Sequence, residues 1–405
     1  MTFDLRELKS PAFFQDPYPV YRKLRDQGRP VWLPHREAHV TTPGTWLFFR
    51  HDDVQRLIQD TQSVSYAISP HRRPGSENFY DLNMLFRDAD DHQRLRRLVA
   101  QFFTPQHLKA FTADIEEITH RQLDRMGSGG IVNLVDEFAA AVPPRVVARL
   151  LGTPEDDAPQ IRQWTLGLHD MGDSLVEDAD PALRGILGEF HRYVSSHYLS
   201  EAALAREGSM IARLRHSEAA GQISRPEALA MMVLMFVAGN ATVTALASSA
   251  LWLLMSHPDQ WALLRAEPER IDAAIDEALR FESPIQRTIF RITTEAIEFD
   301  DFRLEKGEQF SVVIGSANRD ESVFERPDAF DITRPAKGNL AFGRGVHTCL
   351  GRQLAWVEAR ILLRAMLERF PTLTPVSREP VWRRNSMFRE LQALPVRTES
   401  RHGHG

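Results

Sequence analysis

The sequence has 405 residues, of which 43% are hydrophobic and 26% charged; these proportions exclude a fibrous or wholly disordered chain. A formal net charge of −6 argues against a nucleic-acid-binding protein, since such proteins are basic enough to match the phosphates. The single cysteine, Cys349, excludes an intramolecular disulfide, a cysteine-rich zinc site and an iron–sulfur cluster, each of which needs several thiolates.

The N-terminal segment offers no apolar core for a signal peptide or a membrane anchor, because Asp4, Arg6, Glu7 and Lys9 interrupt it. The apolar run 229–255 is long enough to span a bilayer. It carries internal polar residues and has no flanking cluster of Lys or Arg, so we interpret it as a buried helix. We therefore expect a cytoplasmic protein without a membrane anchor, with which the lone cysteine is compatible.

The first hundred residues mix helices and strands. Residues 19–25 favour a helix, and residues 31–33 and 45–49 favour the two strands of a hairpin. The proline- and glycine-containing stretch 69–75 is typical of a loop.

Three helices are indicated by a start signal followed by apolar residues at helical spacing. Asp52 or Asp53 can cap the first, Thr104 followed by proline starts the second, and Pro143 opens a third that Gly152 ends. The recurring apolar residues are Val54, Leu57 and Ile58, then Leu108, Phe111, Ile115 and Ile118, and then Val146, Val147, Leu150 and Leu151.

Beyond residue 280 the pattern changes twice. Apolar residues alternate roughly by twos over 292–315, which predicts a small hairpin sheet. A glycine-rich loop follows at 343–351 and leads into an amphipathic helix. Together these features predict a mainly α protein with small β-sheets, forming one large domain with a long central helix, and a disordered tail at 399–405.

The segment around Cys349 is the most informative. Its glycines allow positive φ and close approach to a flat group, and the amides at the following helix N-terminus favour a thiolate, a soft ligand suited to iron. A small buried hydrophobe is the ordinary alternative for a lone cysteine. A hydrolase with His347 as base is another, although no third orienting group is visible. A dinucleotide loop fails because position 348 is threonine.

The spacing Phe342-x-x-Gly345-x-His347-x-Cys349-x-Gly351 resembles the haem-binding loop of the cytochrome P450 family. Further signatures stand in the family's order, so the resemblance covers nearly the whole chain. It implies a cytochrome P450-like fold, a single haem-thiolate domain over residues 1–398, and haem b (iron protoporphyrin IX) as cofactor, with Cys349 as the ligand of the metal.

Glu277 and Arg280 lie three residues apart on a predicted helix and on their own could form a routine surface ion pair. In the family this pair is buried and joined by a downstream arginine, which Arg334 matches. The resemblance therefore implies structural support behind the cysteine loop for these three residues.

His92 and Arg96 share a helix face and on their own would be a solvated basic surface. The two carboxylates of haem need charged donors, and the resemblance assigns this role to His92, Arg96, Arg291 and His347. The full set of expected cofactor-binding residues is His92, Arg96, Ala238, Arg291, Phe342, Gly343, His347, Cys349 and Gly351.

The stretch Ala238-Gly-Asn-Ala-Thr242 lies midway along the 229–255 helix, where glycine and threonine can loosen the backbone; a small-residue packing contact is the alternative. The family places it over the distal face of haem, so Gly239, Asn240, Ala241 and Thr242 are the expected catalytic residues. The usual acid before the threonine is replaced by Ala241. Three explanations stay open: protons come through water ordered by Thr242, Asn240 or Thr244, a polar group of the substrate helps, or the enzyme does not run the standard oxygen cycle.

The expected function is a haem-thiolate monooxygenase that inserts one oxygen atom from O2 into a C–H bond of a mainly apolar small molecule, such as a secondary metabolite, terpenoid or fatty acid. Electrons would come from a ferredoxin or flavodoxin, for which Arg94, Arg97, Arg344 and Arg352 could form a docking patch. We expect a monomer. Expected substrate-contacting residues are Phe79, Leu82, Met84, Leu85, Ile285, Thr288, Ile289, Met387 and Phe388.

Two other functions stay open at this stage. The string Ala238–Thr242 also resembles the fungal nitric oxide reductases, which take electrons directly from NAD(P)H. A helical binding protein without redox chemistry is the alternative from another class, and the absence of a Soret band would distinguish it.

Overall fold

The structure is a computed structural model, and it describes residues 4–34, 43–67, 79–127, 129–172, 183–201 and 208–399. Its α-helices, in chain order, are α1 (Pro11–Gln15), α2 (Tyr18–Asp26), α3 (His51–Gln59), α4 (Ala89–Ala100), α5 (Pro105–Met126), α6 (Pro143–Leu151), α7 (Ala158–Gly172), α8 (Leu183–Leu199), α9 (Met210–Ala219), α10 (Arg225–Ser256), α11 (Pro258–Ala266), α12 (Ile271–Phe281), α13 (Ile314–Ala317) and α14 (Arg352–Arg369).

The strands are short and form small sheets. They are β1 (Val31–Pro34), β2 (Gly44–Phe48), β3 (Val64–Ser65), β4 (Gly129–Asn133), β5 (Arg291–Thr293), β6 (Ile297–Glu298), β7 (Arg303–Leu304), β8 (Gln309–Val312), β9 (Thr372–Pro375), β10 (Val381–Trp382), β11 (Leu391–Ala393) and β12 (Pro395–Glu399). The fold is thus mainly helical with small sheets, as the sequence predicted.

Helix α10 is the centre of the molecule. A capping box starts it: the Ser224 side chain accepts from the Glu227 amide, and the Glu227 side chain accepts from the Ser224 amide. The helix is 32 residues long and apolar enough to cross a membrane by length and composition, but 78% of its most apolar 18-residue window is buried. It is a core helix enclosed by protein, which confirms the interpretation of the 229–255 run.

The helices α6, α7, α8, α12 and α14 pack around α10, and so does a short 3₁₀ turn over Phe79–Leu82. Their apolar faces form one large core, while two smaller apolar clusters lie under the sheets and the N-terminal helices. This arrangement leaves few polar positions around the middle of α10, so those that occur there stand out.

The largest sheet has the order β1-β2-β8-β5-β3 and supports one edge of the site. Strands β2 and β8 run parallel, whereas the other neighbours are antiparallel. Because β3 pairs with β5, Ser65 lies opposite Ile292. The residue after β3 therefore lies close to the first residue of β5, Arg291.

Two of the predicted helix signals are confirmed in detail. Thr104 caps α5 by accepting from the amide of His107 over 3.3 Å. Gly152 ends α6 with φ of 97° and ψ of 22°, the left-handed conformation that glycine adopts without steric cost. The predicted helix at 19–25 and the predicted hairpin are also present, as α2 and as β1 and β2.

The predicted cap of α3 is wrong. The helix begins at His51, before either predicted cap, and its N-cap Arg50 makes no side-chain cap bond. Asp320 replaces the cap from a distant segment, since its Oδ2 accepts from the His51 amide over 2.8 Å. Asp52 and Asp53 lie in the first turn, where their charge still favours the helix dipole.

The region 292–315 is not a single hairpin sheet. Only β6 and β7 pair as a local hairpin, whereas β5 and β8 belong to the large sheet, and Ile314 starts a short helix.

At the C-terminus, Glu399 pairs with Gly129 and Thr372, so the predicted tail can begin only at residue 400. Residues 400–405 and the predicted loop at 69–75 lie outside the described residues.

Glu358 on α14 gives the fold a pH dependence. The side chain is 1% exposed, one carboxyl oxygen has no hydrogen-bond partner among the described residues, and burial raises its pKa to about 8. In the unfolded chain, the Glu358 carboxyl loses its proton near the ordinary pKa of a glutamate. In the folded protein, the carboxyl keeps its proton to a higher pH. Stability is therefore lost as the pH rises from the unfolded pKa to the folded one.

We expect Glu358→Gln to remove this loss while keeping the shape of the side chain. Between pH 5 and pH 8 the wild-type free energy of unfolding should fall relative to the variant by roughly 1–3 kcal/mol. Urea unfolding of both proteins at the two pH values measures the difference. Parallel pH profiles would contradict a neutral buried Glu358.

Candidate functional site

Two left-handed glycines and one backbone hydrogen bond shape the loop that carries Cys349. Gly343 and Gly345 have φ of 66° and 76°, and the Cys349 amide donates to the Phe342 carbonyl over 2.9 Å. Gly351 differs, because it has φ of −78° and is the N-cap of α14. Neither its φ nor crowding demands glycine there, so its cofactor contact stays a prediction.

The sulfur of Cys349 lies at the mouth of α14. Burial raises the pKa of the thiol, while the amides of Gly351 and Arg352 and the positive charge of Arg96 lower it. The residue nevertheless keeps exposed surface, so a partner atom can reach the sulfur within the body of the protein. A metal ion on the sulfur would remove the conflict between these effects, because it stabilises the thiolate that burial disfavours.

Four side chains from separate segments stack into a column beside this loop. The Arg291 guanidinium lies 4.3 Å from the centroid of the Tyr66 ring. Tyr66 stacks on His347 with ring centroids 3.6 Å apart and an interplanar angle of 8°, and His347 lies 4.0 Å from His92. The structure thus brings together the predicted donors His92, Arg291 and His347, with Tyr66 among them.

Arg96 joins this column to the cysteine loop. Its Nη2 donates to the Thr348 carbonyl over 2.8 Å, and its charge acts on Cys349. Burial lowers the pKa of both Arg96 and Arg291, and Arg291 is only 8% exposed with an Nε that has no hydrogen-bond partner. Within the described residues, no carboxylate pairs with either arginine.

This excess of buried positive charge fits an anionic group. Buried cations require a partner charge, and the chain itself provides none to Arg291 within the described residues. Burial, His92 and the two arginines also lower the pKa of His347, to about 3, so that ring is neutral. A flat cofactor with two carboxylates and a metal matches a sulfur ligand beside two cations and two imidazoles.

The three residues predicted to support the cysteine loop form one buried ion-pair group. Glu277 accepts from Nε and Nη2 of Arg280, each over 2.7 Å, and both side chains are almost fully buried. Arg334 approaches Glu277 at 3.3 Å. Arg280 also donates to the carbonyls of Asn318, Pro327 and Ala329, which holds the segment leading to the cysteine loop. Removing one member would leave a buried charge without its partner, at a cost of about 3–5 kcal/mol.

The middle of α10 presents two different faces. Ala238 is exposed although most of the helix around it is buried, and Thr242, one turn later on the same face, keeps part of its surface. The Thr242 hydroxyl donates to the Ala238 carbonyl over 2.6 Å. These two residues therefore share the accessible face of α10, as the predicted distal position requires.

Gly239 and Asn240 point to neighbouring helices. A Cβ at Gly239 would lie 2.7 Å from Cγ2 of Val147, so the glycine allows α6 to approach closely. Asn240 is fully buried and donates weakly, over 3.5 Å, to the Thr165 hydroxyl of α7. Ala241 is 2% exposed. This geometry favours the packing alternative for Gly239 and Asn240, and their catalytic roles stay predictions.

The predicted substrate residues divide by exposure. Phe79, Leu82, Leu85, Ile285, Thr288, Ile289 and Phe388 are partly exposed. Met84 and Met387 are only 8% and 4% exposed, which favours core packing over substrate contact for these two. Ile285 and Phe388 form a β-bridge, so two distant predicted segments do meet.

The sequence reasoning missed Tyr66 and His169. Tyr66 follows a two-residue strand, and only its pairing with β5 brings it to Arg291, so no local signal marks it. His169 stacks on Phe388 at 3.6 Å, and burial lowers its pKa to about 3. Both its ring nitrogens lack a hydrogen-bond partner. Its i, i+4 spacing from Thr165 could have placed both residues on one face of α7.

Comparison with known proteins identifies a family. Residues 205–391 match the family model described as Cytochrome P450. The chain is 35% identical over 399 residues to cytochrome P450 107B1 of Saccharopolyspora erythraea, covering 95% of this chain and 96% of the relative. It is also 35% identical over 392 residues to the cytochrome P450 monooxygenase PikC of Streptomyces venezuelae, covering 95% and 92%.

A solved structure shows that the fold is also that of a cytochrome P450. A myxobacterial cytochrome P450, CYP267B1, in complex with myristic acid, superposes with a TM-score of 0.87 at 29% identity. The match covers 99% of this chain and all of that one. The likeness therefore extends over the whole fold and is not limited to the cysteine loop.

We expect Cys349→Ser to lose the thiolate spectrum of the haem-loaded protein, because a serine hydroxyl is a far poorer ligand for iron than a thiolate. The carbon monoxide adduct of the reduced protein should lose its red-shifted band. Thr348→Ala, which removes only the 2.7 Å hydrogen bond to the Gly345 carbonyl, is the matched loop control and should keep the band. An unchanged band in Cys349→Ser would exclude this sulfur as the ligand.

Proposed function

The chain belongs to the cytochrome P450 family, and we propose that its Cys349 loop, its buried cations and the exposed face of α10 form one haem site. Proteins of this family are haem-thiolate monooxygenases that bind haem b and use a separate redox partner, and this chain is one of them. The observation that carries the proposed site is the excess of buried positive charge beside the only cysteine.

The residues proposed to hold haem b act at different points. Cys349 ligates the iron, and the amides of Gly351 and Arg352 stabilise its thiolate. Arg96 and Arg291 neutralise the two carboxylates, with His92 and His347 as further donors. Phe342, Gly343 and Ala238 would border the ring, and residues 1–398 would make up this single haem domain.

When bound, haem b supplies the activation of dioxygen, so that one oxygen atom enters a C–H bond and the other leaves as water, with two electrons and two protons taken up. The protein excludes bulk water by enclosing the site around α10. It also orients the substrate and holds the protons that the reaction consumes.

Thr242 is the proposed holder of a proton on the accessible face of α10. Its hydroxyl donates to the Ala238 carbonyl, which leaves its lone pairs free to accept from water. Asn240 and Thr244 lie about 200° around the helix from Thr242, so they are poorly oriented to order the same water. With Ala241 in place of an acid, a polar group on the substrate is the proposed additional proton donor.

The proposed substrate is a mainly apolar small molecule of the secondary-metabolite, terpenoid or fatty-acid type. The partly exposed side chains at Phe79, Leu82, Leu85, Ile285, Ile289 and Phe388 support this chemistry, since all are apolar. Thr288 is the polar member of the same group. The structural relative CYP267B1 was solved with myristic acid, a fatty acid.

The proposed electron donor is a ferredoxin or flavodoxin that approaches the cysteine side of a cytoplasmic monomer. Of the four arginines considered for docking, Arg97 and Arg352 are exposed. Arg94 is engaged by Asp91 and Glu227 within the protein, which makes it a weak candidate. The docking patch we propose is therefore narrower than the sequence indicated.

The proposed function is tested by spectra and by electron source. The haem-supplemented protein should show a Soret band, and carbon monoxide should give the thiolate-type red-shifted band after reduction. Fatty acids and terpenoids should be screened by the spectral shift they induce in the ferric protein. A colourless protein would leave only the binding-protein alternative, and rapid NADH oxidation with nitric oxide in the absence of any ferredoxin would favour the reductase.

We expect Thr242→Ala to keep the spectra but to waste electrons, because it removes the hydroxyl that holds water at the site. Product formed per NADH should fall about tenfold, with hydrogen peroxide released in its place. Thr244→Ala, the same substitution on the opposite side of α10, is the matched control and should couple normally. Equal coupling in Thr242→Ala and wild type would show that this hydroxyl holds no proton for the reaction.

A further inference from the structure

Tyr66 occupies the middle of the column beside the cysteine loop. His347 covers one face of its ring at 3.6 Å and 8°, which leaves the other face to the Arg291 guanidinium at 4.3 Å. Both neighbours are residues proposed above to face the carboxylates of haem. Tyr66 itself is 3% exposed and lies between a charged donor and a neutral one.

The backbone around Tyr66 is fixed from three sides. The Tyr66 amide donates to Asp88 Oδ1 over 2.7 Å, and the Ser65 hydroxyl donates to Asp88 Oδ2 over 2.5 Å. The β3–β5 pairing sets its register relative to Arg291. The phenol oxygen donates weakly to the Ile58 carbonyl at 3.4 Å. It also lies within hydrogen-bonding reach of the Arg291 side chain. The ring faces and the hydroxyl therefore both hold Tyr66 against its neighbours.

An aromatic ring suits this place for a physical reason. It presents two flat faces, and a desolvated guanidinium over one of them gains cation–π attraction without a hydrogen-bond partner of its own. This matters for Arg291, whose Nε has none. The ring thus limits how far the guanidinium can turn, and it does the same for the imidazole stacked on the other face.

We propose that Tyr66 is a positioning residue for bound haem, which holds Arg291 and His347 in place to meet its carboxylates and so raises its reduction potential. The inference rests on the proposed haem site. A cation held near the carboxylates favours the reduced state, which carries one positive charge fewer than the oxidised state. When the cation is free to move away, this preference weakens and the potential falls.

The test compares Tyr66→Phe, Tyr66→Leu and Tyr198→Leu as haem-loaded proteins. Tyr198 is a fully buried tyrosine on α8 whose hydroxyl bonds Glu218, so its loss controls for the removal of a buried ring elsewhere. The measurements are the midpoint potential by dye-mediated reductive titration and the rate of haem transfer to excess apomyoglobin.

We expect Tyr66→Leu to lower the midpoint potential and to release haem about tenfold faster, from the loss of one stacking and one cation–π contact. Tyr66→Phe keeps both ring faces and loses only the hydroxyl contacts, so it should stay closer to the wild type than to Tyr66→Leu in both readouts. Tyr198→Leu should lower the melting temperature without moving the potential. If Tyr66→Leu does not accumulate, Tyr66→Met is used with the same expectations.

A wild-type potential and haem release rate in Tyr66→Leu would overturn the inference, and so would a Tyr66→Phe variant as impaired as Tyr66→Leu. These outcomes concern Tyr66 alone. Failure of the wild-type protein to take up haem would instead overturn the proposed function, so the two failures are distinguishable.

Discussion

The charge of Arg291 is the constraint on which the rest of the site depends. Three other buried arginines of the described residues have carboxylate partners: Arg280 pairs with Glu277, and Arg319 and Arg389 share Glu282. Arg291 is as deeply buried but has an aromatic ring where those have a carboxylate. A buried cation without a countercharge is costly. Within the described residues no carboxylate pairs with Arg291, so this place beside the only cysteine fits an anionic group from outside the chain.

The ion-pair network behind the cysteine loop differs from Arg291, because its hydrogen-bond donors have acceptors within the protein. Arg280 uses its guanidinium nitrogens on Glu277 and on three backbone carbonyls, and Arg334 completes the group. Such a network has nothing left to offer a ligand, so it can only hold the loop in place. Among the described residues, Arg280 behind the cysteine loop thus has all its guanidinium donors paired, whereas Arg291 beside Cys349 does not.

The five residues at the middle of α10 serve packing and chemistry together, and helical geometry separates the two. Ala238 and Thr242 share the accessible face, whereas Gly239 meets Val147 and Asn240 meets Thr165. The missing acid at Ala241 is therefore not replaced by its immediate neighbours. Under the proposed function, the reaction's protons come from water at Thr242 and from the substrate itself, which links substrate choice to turnover.

Features with local signals could be predicted from the order of residues alone. The glycines around Cys349 predicted a loop there, and the long apolar run predicted α10 as a buried helix. Thr104 and Gly152 marked helix ends, because caps and turns depend on a few neighbouring residues. The family resemblance supplied the ion pair of Glu277 and the cations at Arg96 and Arg291.

Contacts between groups far apart in the chain could be identified only from the folded structure. Asp320 caps α3 from far along the chain, Tyr66 reaches Arg291 through strand pairing, and His169 stacks on Phe388. The direction in which Asn240 points depends on how α7 packs against α10. Such contacts leave no trace in local spacing, because they arise from packing between elements whose separation in sequence carries no information about their distance in space.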